Sequence, residues 1–355
     1  DERRTTKDDE AAWATTTSLE NERLKVVFND RGEITSIWDK EADRELAAGP
    51  CNSLKMYKDV PGAWDAWDVD SMYAETPVEL PERAEITVQA AGPLVAALHV
   101  TRTLHHSTLT QEISLRRGSR RVDVATTIDW QESHKLLKVA FPVNIHANEA
   151  IHEIQFGHIR RPNHLSRPFD ASRFEVCNHK WSALAEENRG CAVLNDSKYG
   201  VNVLGNSINL TLLKSALAPD MTADKGIQTF TYSFYAWNGS LADSQVVAEA
   251  YDLNAPATTA PGAAGEHSLF SLDAGNIIIE TVKPAEDGSA DVIVRLYEAK
   301  RMATRATLTT TLPVESAAQT NMLEEVAADL PVASGRIALE FRPFEIKTVR
   351  LRLAR

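Results

Sequence analysis

The stretch 61-PGAWDAWDVDSMY-73 places Asp65, Asp68 and Asp70 beside Trp64, Trp67 and Tyr73, in a chain with only 7% aromatic residues. Indoles offer flat apolar faces and carboxylates accept hydrogen bonds, a combination that stacks on a pyranose ring while binding its hydroxyls. The Pro-Gly pair predicts a turn, so these residues are expected on a loop rather than a core strand. Paired carboxylates also suit acid/base work at a glycosidic bond. Acids on a loop are more commonly just solvated, and tryptophans there can plug a gap between sheets. Sugar subsite and gap-filler therefore both stand as readings of these residues.

Other chemistries find less support. The ten histidines form no HExxH and the cysteines no Cys-x-x-Cys. His105 and His106 are adjacent, so on a strand they would face opposite sides. No metal site and no catalytic residue is expected within this chain, since the nucleophile elbow, the P-loop and the dinucleotide fingerprint are all absent. A mutarotase needs a facing His and Glu to move a proton at the anomeric hydroxyl. His146 or His152 with Glu153 could supply them, although no spacing demands it.

Composition narrows the partners. A net charge of -12 argues against nucleic acid and anionic membranes, both of which need a basic face. No apolar run approaches the ~20 residues of a membrane span. The three cysteines, Cys51, Cys177 and Cys191, do not form a disulfide framework, which points to the reducing cytoplasm. The opening DERRTTKDDEAAW has no hydrophobic leader and no initiator methionine, so the chain is expected to be a piece of a longer protein.

The elements that must hold these residues are strands. In 121-RVDVATTIDW-130, Val122, Val124, Thr126, Ile128 and Trp130 share one face, and Arg121, Asp123 and Asp129 the other. In 23-RLKVVFNDRGEITSIWD-39, apolar runs flank Asn-Asp-Arg-Gly, a hairpin signal with glycine placed for positive φ. Further strands are predicted at 84–89, 94–104, 109–116, 136–145, 208–214 and 228–237. One short helix is predicted at 244–252, capped by Asp243 or Ser244. Residues 254–268, rich in Pro, Ala, Gly and Thr, form a linker, and alternating runs between 276 and 353 predict a small sandwich. The expected order is a lead-in at 1–18, a large β domain at 19–253, the linker, and a small β-sandwich at 269–355. The fold class is all-β.

Several blocks resemble the post-catalytic region of glycoside hydrolase family 38 α-mannosidases of the cytosolic and bacterial branch. They are 19-LENERLKVVFNDRGEITSIWDKEADREL-46, 59-DVPGAWDAWDVDSMY-73, 161-RPNHLSRPFDASRFEVCNHKWSALAEENRGCAVLNDSKYG-200, 210-LTLLKSALAPDMTADKGIQTFTYSFYAW-237, 282-VKPAEDGSADVIVRLYEA-299 and 343-PFEIKTVRL-351. They follow the family's order over nearly the whole chain. The resemblance implies a galactose-mutarotase-like supersandwich followed by a small immunoglobulin-like sandwich. It also implies a retaining hydrolase of terminal α-mannosides, whose aspartate nucleophile and zinc ion reside in an N-terminal domain absent from this sequence. By itself this chain is expected to be inactive. It would wall the sugar pocket, pack on its own catalytic domain and support homo-oligomer contacts. Pocket candidates are Trp64, Asp65, Trp67 and Asp68 on one loop, and Lys214, Asp220 and Asp224 on 214-KSALAPDMTADKG-226. Lys214 stands where relatives commonly carry arginine. In 161–170 the family's Thr-His-x-Asn-Thr-Ser-Trp pattern is only partly kept, and structural roles are expected for His164 and His179. The alternative is a stand-alone carbohydrate-binding or mutarotase-like protein.

Overall fold

A computed structural model describes residues 11–81, 83–262 and 265–354. The ends of the predicted lead-in (1–10) and of the small sandwich (Arg355), and residues 263–264 of the predicted linker, lie outside them. The chain divides into two compact units, one built from residues up to 154 and 159–256, the other from 155–158 and 257 onward.

The first unit is a stack of antiparallel sheets. Nine strands run in the order Gly157–Pro162, Glu149–Ile154, Trp181–Glu186, Arg189–Asn195, Gly226–Asn238, Arg121–Trp130, Ser107–Arg116, Val95–Leu104, Glu85–Ala91. Six form a second sheet: Val176–Cys177, Gly200–Leu204, Ser207–Lys214, Lys135–Pro142, Ser53–Lys58, Pro77–Val78. Alternation decides which face of each strand is buried. In Arg121–Trp130 the predicted inner set is buried: Val122, Val124, Ile128 and Trp130 are 0% exposed and Thr126 is 2%. Phe141 of the six-stranded sheet stacks on Phe234 of the nine-stranded one, ring centres 6.1 Å apart. Each such side chain contributes about 1.5–3 kcal/mol by leaving water.

A further five-stranded sheet spans Trp13–Thr15 to Arg44–Glu45. It lies partly within the stretch read as a lead-in, and its Leu19, Leu24, Val26, Ile34 and Ile37 join the same core. The hairpin at 29–33 follows its sequence signal. Asn29 Oδ1 accepts the amides of Arg31 and Glu33, both at 3.0 Å, and Gly32 has φ +73°.

His105 and His106 fall between the predicted strands and form the two-residue turn between Val95–Leu104 and Ser107–Arg116, with His105 at φ +57°. One local expectation is corrected. The helix spans Val246–Asn254, and Gln245 occupies its cap position without a side-chain bond. Asp243 and Ser244 serve the preceding turn instead: Ser240 Oγ donates to Asp243 at 2.7 Å, and Ser244 Oγ to the Leu241 carbonyl at 2.8 Å.

The second unit is a small sandwich. A five-stranded sheet (Ile277–Pro284, Val292–Glu298, Ile346–Leu353, Val314–Thr320, Val326–Leu330) buries Val294, Leu296, Val349 and Leu351 with Leu308, Ile337 and Phe341 of a three-stranded sheet. Among the described residues no helix is long and apolar enough to cross a membrane.

Candidate functional site

The loop 59–76 leaves the strand Ser53–Lys58 and returns at Pro77–Val78, which pairs with that strand's Met56 and Tyr57. Acids fix its path. Asp59 is 1% exposed; its Oδ1 accepts the Asp70 amide at 2.8 Å and its Oδ2 pairs with Lys214 Nζ. Asp70 in turn caps the Met72 amide at 2.9 Å. Near the end of the loop Tyr73 is buried and edge-on to Tyr57, with ring centres 5.0 Å apart.

Asp65 ties this loop to a second one. Its Oδ2 accepts the amides of Leu217 at 2.7 Å and Ala218 at 3.1 Å, and meets His134 Nε2 at 3.0 Å. Those bonds, the Leu217 amide foremost, hold its pKa below the ordinary aspartate value. His134 is fixed as well: its amide donates to the Ser215 carbonyl at 2.7 Å, and its carbonyl accepts from Asp59 at 3.0 Å. Two segments far apart in sequence thus form one clamped rim.

On that rim Trp64 and Trp67 stand 70% and 72% exposed. Their rings pack edge to face, centres 6.3 Å apart, and Trp64 has φ +57°. The amides of Trp67 and Asp68 both donate to the Trp64 carbonyl, at 2.8 and 2.9 Å, so a tight turn presents both indoles. Asp68 is exposed. Within this structure the tryptophans fill no gap.

The seven residues singled out by sequence therefore separate. Trp64, Trp67 and Asp68 face solvent, whereas Asp65 is a clamp and Lys214 neutralises buried Asp59. Asp220 caps its own turn, accepting the Thr222 amide at 2.8 Å and hydroxyl at 2.9 Å. Asp224 is exposed at φ +61°. Sequence reasoning missed His134 and Asp59, and no local pattern marks either one. Farther along, Asp170, 1% exposed, accepts the Arg167 amide at 2.9 Å and pairs with Arg173, with His164 Nδ1 at 3.9 Å.

The pair considered for anomeric proton transfer is not assembled. His152 and Glu153 are neighbours on the strand Glu149–Ile154. Burial, helped by Arg161, pushes His152 down to about 3, and Ser182 Oγ holds its Nδ1 at 2.9 Å. Glu153 is occupied by the Lys180 amide at 2.8 Å and ammonium at 3.1 Å. His146 is exposed, its amide bonded to Glu186 at 2.9 Å. Among the described residues no group of three His, Cys, Asp or Glu side chains is arranged to hold a metal ion.

Comparison with known proteins agrees with this layout. Residues 19–222 match the glycosyl hydrolases family 38 C-terminal domain, and residues 276–349 the family 38 C-terminal beta sandwich domain. The chain is 37% identical over 349 residues to alpha-mannosidase 2C1 of Homo sapiens, covering 94% of this chain and 33% of that protein. It is also 37% identical over 350 residues to alpha-mannosidase G of Dictyostelium discoideum, covering 94% and 32%. It thus spans about a third of the length of these curated relatives. The crystal structure of an alpha-mannosidase from Enterococcus faecalis V583 shares the fold, with a TM-score of 0.76 over 96% of this chain and 43% of that one, at 20% identity. With both β domains matched in order, the chain belongs to glycosyl hydrolase family 38, whose C-terminal portion it carries.

Proposed function

We propose that this chain is the non-catalytic β portion of an α-mannosidase, and that the rim carrying Trp64 and Trp67 borders the pocket for terminal α-mannosides. The observation that carries the reading is the Asp65 clamp. It fixes an indole-bearing loop against a second loop, so the two aromatic faces are held ready with no cover. Exposed indoles cost free energy unless a ligand or partner covers them, and sugar rings stack on such faces. The nucleophile, the acid/base carboxyl and the zinc ion belong to a catalytic half outside this chain, and the reaction is the retaining one. That half is also the main partner of these β domains. The three free cysteines suit a cytoplasmic protein.

The test compares this chain with the longer protein that contains it, using a nitrophenyl α-mannoside. Hydrolysis is expected only from the longer protein, and Trp64→Ala/Trp67→Ala should raise its KM. Turnover by the 355-residue chain alone, or an unchanged KM in the double variant, would overturn the reading.

A further inference from the structure

Alternation along Val95–Leu104 puts Leu98, Val100, Arg102 and Leu104 on one face, and that face is the core. Leu98, Val100 and Leu104 are 0% exposed, and Arg102 is 5% exposed among them. A guanidinium at a core position is costly unless its charge and its five donors are matched. Arg102 is poorly matched. Its Nη2 makes one long bond to the Pro81 carbonyl, 3.4 Å, and its Nε has no partner. The nearby carboxylate, Glu33, attracts Arg102 through space, but its oxygens are bonded elsewhere: Oε1 accepts Ser53 Oγ at 2.6 Å and Oε2 accepts Asn29 Nδ2 at 3.0 Å.

Arg102 does not face a sealed interior. It lines an open cleft of about 540 Å³, together with Arg31 of the 29–33 hairpin, Lys55, Tyr57 and Glu79. Clefts of roughly 300–1,000 Å³ hold small molecules. Among its described lining residues three cations, Arg31, Lys55 and Arg102, stand with the carboxylates Glu33 and Glu79, on a chain whose net charge is -12. A planar guanidinium grips two oxygens of a carboxylate or phosphoryl group at once, and lysine adds a point charge. Among its described lining residues none comes from the tryptophan loop 61–73.

We propose that this cleft is a binding site for a small oxyanion, a phosphoryl or carboxylate group, held by Arg102 with Arg31 and Lys55. It is separate from the sugar-facing rim and independent of that rim's function.

The experiment titrates the full chain with inorganic phosphate and, separately, with malonate at constant ionic strength, read by calorimetry and by thermal unfolding. One saturable site is expected, with a Kd of about 1 mM. Saturation by phosphate alone identifies a phosphoryl ligand, and by malonate alone a carboxylate. Arg102→Met and Arg31→Gln should each weaken binding about tenfold, the loss expected for a charge-assisted bond. Arg305→Gln, whose side chain is 88% exposed in the small sandwich, should leave it unchanged. If Arg102→Met does not fold, Arg31→Gln and Lys55→Gln in the same lining decide. Lack of saturable binding by either anion up to about 50 mM, or affinity unchanged by both Arg31→Gln and Lys55→Gln, overturns the proposal.

Discussion

Asp65 Oδ2 and His134 Nε2 lie 3.0 Å apart across 69 residues of sequence, and the same oxygen caps the amides of Leu217 and Ala218. One carboxylate oxygen thus joins three segments. That junction holds the outward-facing end of the tryptophan loop, where both indoles are exposed, while Tyr73 anchors the other end by burial.

Removing the clamp should loosen both loops together. Asp65→Ala leaves two amides without an acceptor, a loss of roughly 1–2 kcal/mol by analogy with helix caps. Amide hydrogen exchange at Leu217, Ala218 and residues 64–68 should accelerate while the core strand Arg121–Trp130 is unaffected. Unchanged exchange at Leu217 would exclude the clamp.

The same carboxylate sets an acid limit. Its pKa is depressed in the folded state from an ordinary value of 3.8, so its stabilisation is complete above that value. It is lost as pH falls below 3.8 through the folded pKa. Tryptophan fluorescence of the rim should therefore report loop release in acid, and Asp65→Asn should remove that step from the titration. A step that persists in the variant belongs to another group.

Lys214 should behave as a structural cation. Asp59 is 1% exposed, and Lys214 Nζ is its counter-charge. Lys214→Ala strands a buried carboxylate at a cost of ~3 kcal/mol, whereas adding Asp59→Asn should recover part of that loss. Chemical denaturation of the single and double variants measures the coupling. Equal stability of Lys214→Ala and the parent would refute a stabilising role for this ion pair.

The exposed indoles predict the opposite pattern. Trp64→Ala and Trp67→Ala should change stability by no more than about 0.5 kcal/mol, as exposed positions do. In the longer protein, KM for an α-mannoside should rise roughly tenfold for loss of one stacking face, equivalent to ~1.4 kcal/mol. Equal kcat/KM in parent and variants would remove the indoles from the pocket.

Gly32 shows how the two sources of information divide. Its turn position and positive φ were legible from Asn-Asp-Arg-Gly. Its second constraint was not: a Cβ there would sit 2.6 Å from Val100 Cγ1, on a strand far along the chain. Gly32→Ala should therefore cost about 1 kcal/mol for backbone strain and about 1–3 more for overpacking. Thermal unfolding checks the sum, and Val100→Ala in the same chain should return most of the second part.

The sequence by itself determined the all-β class, because period-2 alternation is written locally in runs such as 121–130 and survives any arrangement of the strands. It also determined the family, because blocks from 19 to 351 keep one order. It picked out the aromatic loop, since composition marks Trp64 and Trp67 wherever they end up. Only the tertiary structure decided which acids hold the loop and which face solvent. Asp65 meets Leu217 across 152 residues and Lys214 meets Asp59 across 155. A carboxylate leaves the same mark in sequence whether it caps a distant amide, neutralises a lysine or meets water. Its role is set by what the fold brings within about 3 Å, the reach of a hydrogen bond.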